Sequence, residues 1–163
     1  MRVLLPLAAL AALSGCGLQP IYGGGAAGNA AAKGLAGVEV TPMPGRAGWL
    51  MANALNDRLG AAGDGATRYR LDVRLDDSLE GLGLLNDDTI GRERRTLRAR
   101  YQLVEVATGN IVIDATAGSD AGIDVVSSEY ATIAAEQTAL ERLTEEVADR
   151  IVTSLSLALR DGQ

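Results

Sequence analysis

The chain is 163 residues long with a net charge of −6 at neutral pH, 47% apolar and 3% aromatic, and it holds no histidine and one cysteine. That composition excludes a Ser-His-Asp triad, a histidine-ligated zinc centre, a thiolate metal cluster and any disulfide framework, so stability has to come from packing. The acidic balance argues against a nucleic-acid partner, and no residue pattern calls for a cofactor.

Met1 and Arg2 form a short positive segment, and residues 3–13 an apolar run, too short for the roughly 20 residues a bilayer span requires. Leu13, Ser14 and Gly15 then lead into Cys16. The pattern resembles a bacterial lipobox. In such signals residues 1–15 are removed, the Cys16 sulfur is diacylated and its new N-terminus acylated. The mature chain would keep 148 residues, one domain's worth, and losing Arg2 would leave 14 basic against 21 acidic residues, or −7. Each buried acyl methylene contributes about 0.8 kcal/mol, so such a chain is anchored to a membrane without spanning it. Gly17 stands where some bacteria read an aspartate as an inner-membrane retention signal, which implies passage to the outer membrane.

Residues 23–37 read GGGAAGNAAAKGLAG and carry no hydrophobic period, so residues 16–37 are expected to be a lipid-anchored flexible tether. Its last fifteen residues would span roughly 20 Å as a coil. One domain, 38–163, follows.

Val38, Glu39 and Val40 predict a short strand, stopped by Pro42 and Pro44. From Arg46 to Gly60, Leu50, Met51, Ala54, Leu55 and Leu59 recur at helical spacing, with Trp49 at the edge of the apolar face. Over residues 67–76, Tyr69, Leu71, Val73 and Leu75 alternate with charged residues, as in a strand with one wet face. A loop is expected over 79–88. Leu97, Ala99, Tyr101 and Leu103 repeat the alternation, and after a turn at 107–110 so do Ile111, Ile113, Ala115 and Ala117, giving an antiparallel hairpin. Ser127 or Ser128 can cap a final helix of about 30 residues, whose stripe holds Ile133, Leu140, Leu143, Val147, Ile151, Leu155 and Leu159. On its polar side Glu146 and Arg150 are spaced for an i,i+4 ion pair. The order β-α-β-β-β-α predicts an α+β domain: a mainly antiparallel four-stranded sheet with two helices packed on one face.

A family resemblance is carried by residues 16–23 (CGLQPIYG), by Gly45 and Arg46 leading into Leu50, Asn53, Leu55 and Leu59, by Arg95, Thr96 and Leu97 leading into Tyr101, Gln102 and Leu103, and by Ser128, Glu129, Tyr130 and Ala131 opening the last helix. In that order, behind a lipobox, the chain resembles the lipopolysaccharide-assembly lipoprotein LptE, particularly its alphaproteobacterial branch. None of these motifs is catalytic. The resemblance implies a non-enzymatic lipoprotein on the periplasmic side of the outer membrane, which partners and plugs the LptD barrel in lipopolysaccharide transport.

The resemblance also implies lipopolysaccharide as a ligand, for which chemistry supplies candidates. Arg92, Arg94, Arg98 and Arg100 share one strand parity, and guanidinium forks suit phosphates and sugar-acid carboxylates. Arg95 should point the other way or end the strand. The competing expectation is that these arginines pair across strands with Asp72, Asp76 and their neighbours. Two further readings share the pattern: an auxiliary lipoprotein of an ABC-type lipid-transport system, and a hydrolase using Asp72 with Asp76 or Asp87 with Asp88.

Overall fold

The computed structural model of the chain describes residues 34–61, 66–84 and 90–161. The lipobox with Cys16 and most of the expected tether lie outside the described residues. Six elements follow one another: strand β1 (Val38–Val40), helix α1 (Gly45–Gly60), strands β2 (Tyr69–Leu84), β3 (Ile90–Glu105) and β4 (Ile111–Asp124), and helix α2 (Glu129–Asp161). The strands form one sheet in the order β1-β2-β3-β4. The α+β architecture and its element order are those expected from the sequence.

The sheet is mixed in one place. Because α1 intervenes between β1 and β2, the chain returns in the same direction and β1 pairs parallel with β2, while β2, β3 and β4 are antiparallel. Pro42, which has no N–H, ends β1. Gly48 lets α1 start close to the preceding turn, since a Cβ there would stand 2.8 Å from the Met43 backbone.

One face of the sheet carries the core. Leu71, Val73, Leu97, Ala99, Tyr101 and Leu103 meet Met51, Leu55 and Leu59 of α1 and Leu140, Leu143, Val147, Ile151 and Leu155 of α2. Each leucine, isoleucine, valine or methionine among them contributes about 1.5–3 kcal/mol when fully buried. Arg58 ties the helices together, donating to Asp149 at 2.5 Å and to the Glu145 carbonyl at 3.3 Å, and Arg46 reaches Glu141 at 3.1 Å.

The packed region begins before Val38. Leu35 is buried in the core, Gly34 lies against Leu159, and the Gly37 carbonyl accepts from the N–H groups of Arg68 and Tyr69 at 2.9 and 3.0 Å. The strands also outrun their sequence pattern. Residues 79–84, read as loop, continue β2, and β4 runs on to Asp124. The reason lies at Asp77, where a second acid in succession breaks the alternation. In the fold Asp77 turns to the helix side and is bridged by Arg95 at 2.6 Å, so the strand survives the apparent break.

Three smaller expectations shift. Trp49 is 64% exposed, outside the buried face of α1. Ile133 is 43% exposed, because the first turns of α2 extend past the apolar core. Glu146 and Arg150 do not pair with each other: Ser119 donates to Glu146 at 2.6 Å and Arg150 donates to the Gly118 carbonyl, both on β4. Ser128 does cap α2, accepting from the Ala131 N–H at 3.4 Å.

Candidate functional site: the polar face of the sheet

With both helices on one side, the even-numbered residues of β2, β3 and β4 line the other. Register sets them in rows across the three strands: Asp72, Gln102 and Asp114; Arg74, Arg100 and Thr116; Asp76, Arg98 and Gly118; Ser78, Thr96 and Asp120; Glu80, Arg94 and Gly122; Leu82, Arg92 and Asp124. Arg92, Arg94, Arg98 and Arg100 therefore share one face, as their parity requires.

The arginines find partners on β4. Arg100 holds Asp114 with two bonds, at 3.2 and 3.0 Å, and Gln102 adds a third at 2.9 Å. Arg92 lies 3.4 Å from Asp124 and Arg94 4.0 Å from Asp120. The pairing expected with Asp72 and Asp76 of β2 does not form. Asp72 is taken by Arg70, at 3.0 Å, and by the Thr41 hydroxyl, at 2.7 Å. Asp76 sits opposite Arg98 in register, yet neither is in an ion pair among the described residues.

Arg98 differs from the other β3 arginines of this face in a second way. Its Cγ leans over Gly118, where an added Cβ would stand 3.2 Å away, so glycine supplies the room in which the side chain rests. A shallow cavity of about 250 Å³ opens there beside Thr96, Thr116 and Asp120. A second, of about 400 Å³, is lined by Thr41, Asp72, Arg74, Arg100 and Gln102.

Electrostatically the face is a balanced lattice. Arg70, Arg74, Arg92, Arg94, Arg98 and Arg100 stand among Asp72, Asp76, Glu80, Asp114, Asp120 and Asp124. An anion held here would be held by placed donors and not by a net positive field. Hydrogen bonds from Arg70, then from Thr41, hold the Asp72 carboxyl below the usual carboxylate range; those from Arg100, then Gln102, do the same for Asp114. A general acid needs the opposite shift, and Asp76 lies four strand positions from Asp72, about 13 Å. Asp87 and Asp88 lie outside the described residues. No grouping of carboxylates able to hold a metal occurs among the described residues.

The other side of β3 carries Arg95, as its odd parity predicts. It forks onto Asp77 at 2.8 and 2.6 Å and donates to the Glu136 carbonyl of α2 at 2.9 Å, tying helix to sheet. The sequence reading missed the acids of β4 as arginine partners. Their alternation at Asp114, Asp120 and Asp124 was available, but only the register of the β3-β4 hairpin shows which arginine each one meets.

The family model described as "LptE: Lipopolysaccharide-assembly" matches residues 35–155, which span all four strands, α1 and most of α2. Among solved structures, a protein from Caulobacter crescentus CB15 superposes with a TM-score of 0.67 at 24% identity, covering 82% of this chain and 97% of that one. The rare lipoprotein B from Shewanella oneidensis gives 0.56 at 10% identity, covering 73% and 91% of the two chains. A minor lipoprotein from Acinetobacter baumannii gives 0.56 at 16%, covering 74% and 88%. At these identities the likeness is one of fold. No curated protein matches the sequence.

Proposed function

The chain belongs to the LptE family of lipopolysaccharide-assembly proteins, and from that membership we propose that it is an outer-membrane lipoprotein, acylated at Cys16, which partners and plugs the LptD barrel. The observation that carries the reading is the family match itself, which covers the packed domain from Leu35 into the last turns of α2. The architecture suits the role. A sheet with one face sealed by helices and the other set with charged side chains can stand in a polar barrel lumen without exposing its core. Its work would be fitting and positioning, with no bond made or broken.

Lipopolysaccharide would meet the polar face through its phosphates and acidic sugars, with Arg92, Arg94, Arg98 and Arg100 as the contacting row. Arg98 supports this best, since its guanidinium can engage an anion without giving up an ion pair.

Mild detergent extraction of cells carrying the full chain, followed by crosslinking, tests the partner. Recovery of LptD is expected, together with loss of the membrane-bound form on Cys16→Ser. Recovery of an ABC-type transporter subunit in place of a barrel would transfer the chain to the auxiliary-lipoprotein reading.

A further inference from the structure

The two open edges of the sheet are treated differently. On β4 the Val125 N–H donates to the Gly91 carbonyl at 3.1 Å, which places odd-numbered residues in the ladder with β3 and turns the N–H and C=O groups of even-numbered ones outward. This edge is partly occupied. Arg150 of α2 donates to the outward carbonyl of Gly118, and the aspartates along the strand are engaged by Arg92, Arg94 and Arg100.

On β2 the Val106 N–H donates to the Arg68 carbonyl at 2.9 Å, so even residues bond β3 and odd residues face outward. β1 fills only the start of that edge. Its register ends at Val40 with Leu71, the Thr41 N–H gives one more bond to the Leu71 carbonyl at 3.0 Å, and Pro42 stops the pairing. From residue 73 to 84 no backbone bond reaches the outer side of β2 among the described residues. That leaves about 40 Å of open edge. Of the devices that blunt such edges this stretch has no proline, lysine or bulge, keeping unbroken register with β3 from Tyr69 to Leu82, and its one inward-pointing charge, Asp77, is neutralised by Arg95.

The side chains along the edge describe what would fit. On the polar face Asp76 and Glu80 carry no ion pair among the described residues, because the β3 arginines lean toward β4. On the helix side Leu75 is half-buried and Leu79 is 42% exposed. We propose that the edge of β2 from Val73 onward receives an extended segment of a partner protein as an added strand, with basic residues toward Asp76 and Glu80 and apolar residues toward Leu75 and Leu79. Main-chain bonds from the outward groups of Val73, Leu75, Asp77 and Leu79 hold it, and the acids select its charge. Antiparallel β2-β2 pairing centred on Ser78 would set Asp76 against Glu80, and a second copy in any other register is an outcome that the test below distinguishes. The first described residues, with Gly34 against Leu159 and Val38 beside Tyr69, lie at the other end of β2.

The inference goes beyond the lipoprotein reading and does not depend on it. The test uses the full acylated chain in detergent micelles and a fluorescent ten-residue peptide of alternating lysine and valine, followed by anisotropy. Saturable binding is expected, weakened about tenfold or more by Leu79→Pro, which removes an outward N–H and no ladder bond, and likewise by Asp76→Lys with Glu80→Lys. The same peptide N-methylated at alternate residues leaves the protein untouched and should not bind. Absence of saturable binding, or equal binding of the methylated peptide, overturns the proposal. So does concentration-dependent dimerisation through this edge, which would assign it to a second copy. Recovery or loss of LptD in the extraction experiment has no bearing on this result.

Discussion

The arginines that β3 sets on the polar face come in two kinds. Arg92, Arg94 and Arg100 each face an aspartate of β4, whereas Arg98 rests over Gly118 and is in no ion pair among the described residues. Exposed ion pairs contribute about 0–1 kcal/mol, so replacing one arginine leaves the fold standing. Under the lipopolysaccharide reading, Arg98→Glu should weaken binding of purified lipopolysaccharide more than Arg92→Glu does. Arg94→Glu, Arg98→Glu and Arg100→Glu together should weaken it furthest, with an unchanged circular dichroism spectrum, and binding to wild type should fall as salt rises. Unchanged binding by the folded triple variant would make the row purely structural. That these arginines share a face was legible, because a strand's period of two assigns every side chain by parity. Which were already engaged was not. The pairing depends on the β3-β4 register, set by the turn in which Gly109 takes a φ of 73° and by the irregularity between Leu103 and Val104.

Among the elements, β2 shows most clearly how a strand can outlast its pattern. Asp77 in place of an apolar residue reads as the end of the strand, yet its carboxylate meets Arg95, which reads as a break in β3. Each exception is the partner of the other. The pair is largely shielded, with side chains 16% and 23% exposed, and it also holds the Glu136 turn of α2 to the sheet. Removing one member leaves a shielded charge without its counterion, so Asp77→Ala or Arg95→Ala should destabilise the domain by about 1–3 kcal/mol in urea unfolding. Asp77→Leu combined with Arg95→Leu should recover most of that loss. Additive losses in the double variant would show that the two side chains act separately. α2 is legible as a long amphipathic helix because its period is unbroken. Its first turns are less buried than the stripe implies, since Ile133 fits the stripe but lies beyond the reach of the core.

For the molecule as a whole, the missing histidine makes a prediction about pH. Asp72 and Asp114 are held below the ordinary carboxylate range by Arg70 and Arg100 respectively, so folding favours their charged forms. A depressed folded value adds stability that is complete above the unfolded value, near pH 4, and is lost as pH falls through the folded one. With no side chain of unperturbed pKa between 5 and 8, the urea midpoint should stay level from about pH 7 to 5 and fall below about pH 4. Asp114→Asn should soften that fall. A midpoint that rises on acidification would show that repulsion among the acids of the molecule outweighs the lattice.

The sequence by itself determined the α+β order, the side of the sheet on which each strand residue lies, the buried stripes of both helices and the family resemblance, because periodicity and motif order are local. Tertiary structure alone decided the parallel seating of β1, the capture of Asp77 by Arg95, the turning of the β3 arginines toward β4 and the open edge left along β2. Each of those depends on strand register and on contacts between residues far apart in the chain. Alternation says which way a side chain points; only the assembled sheet says what it finds there.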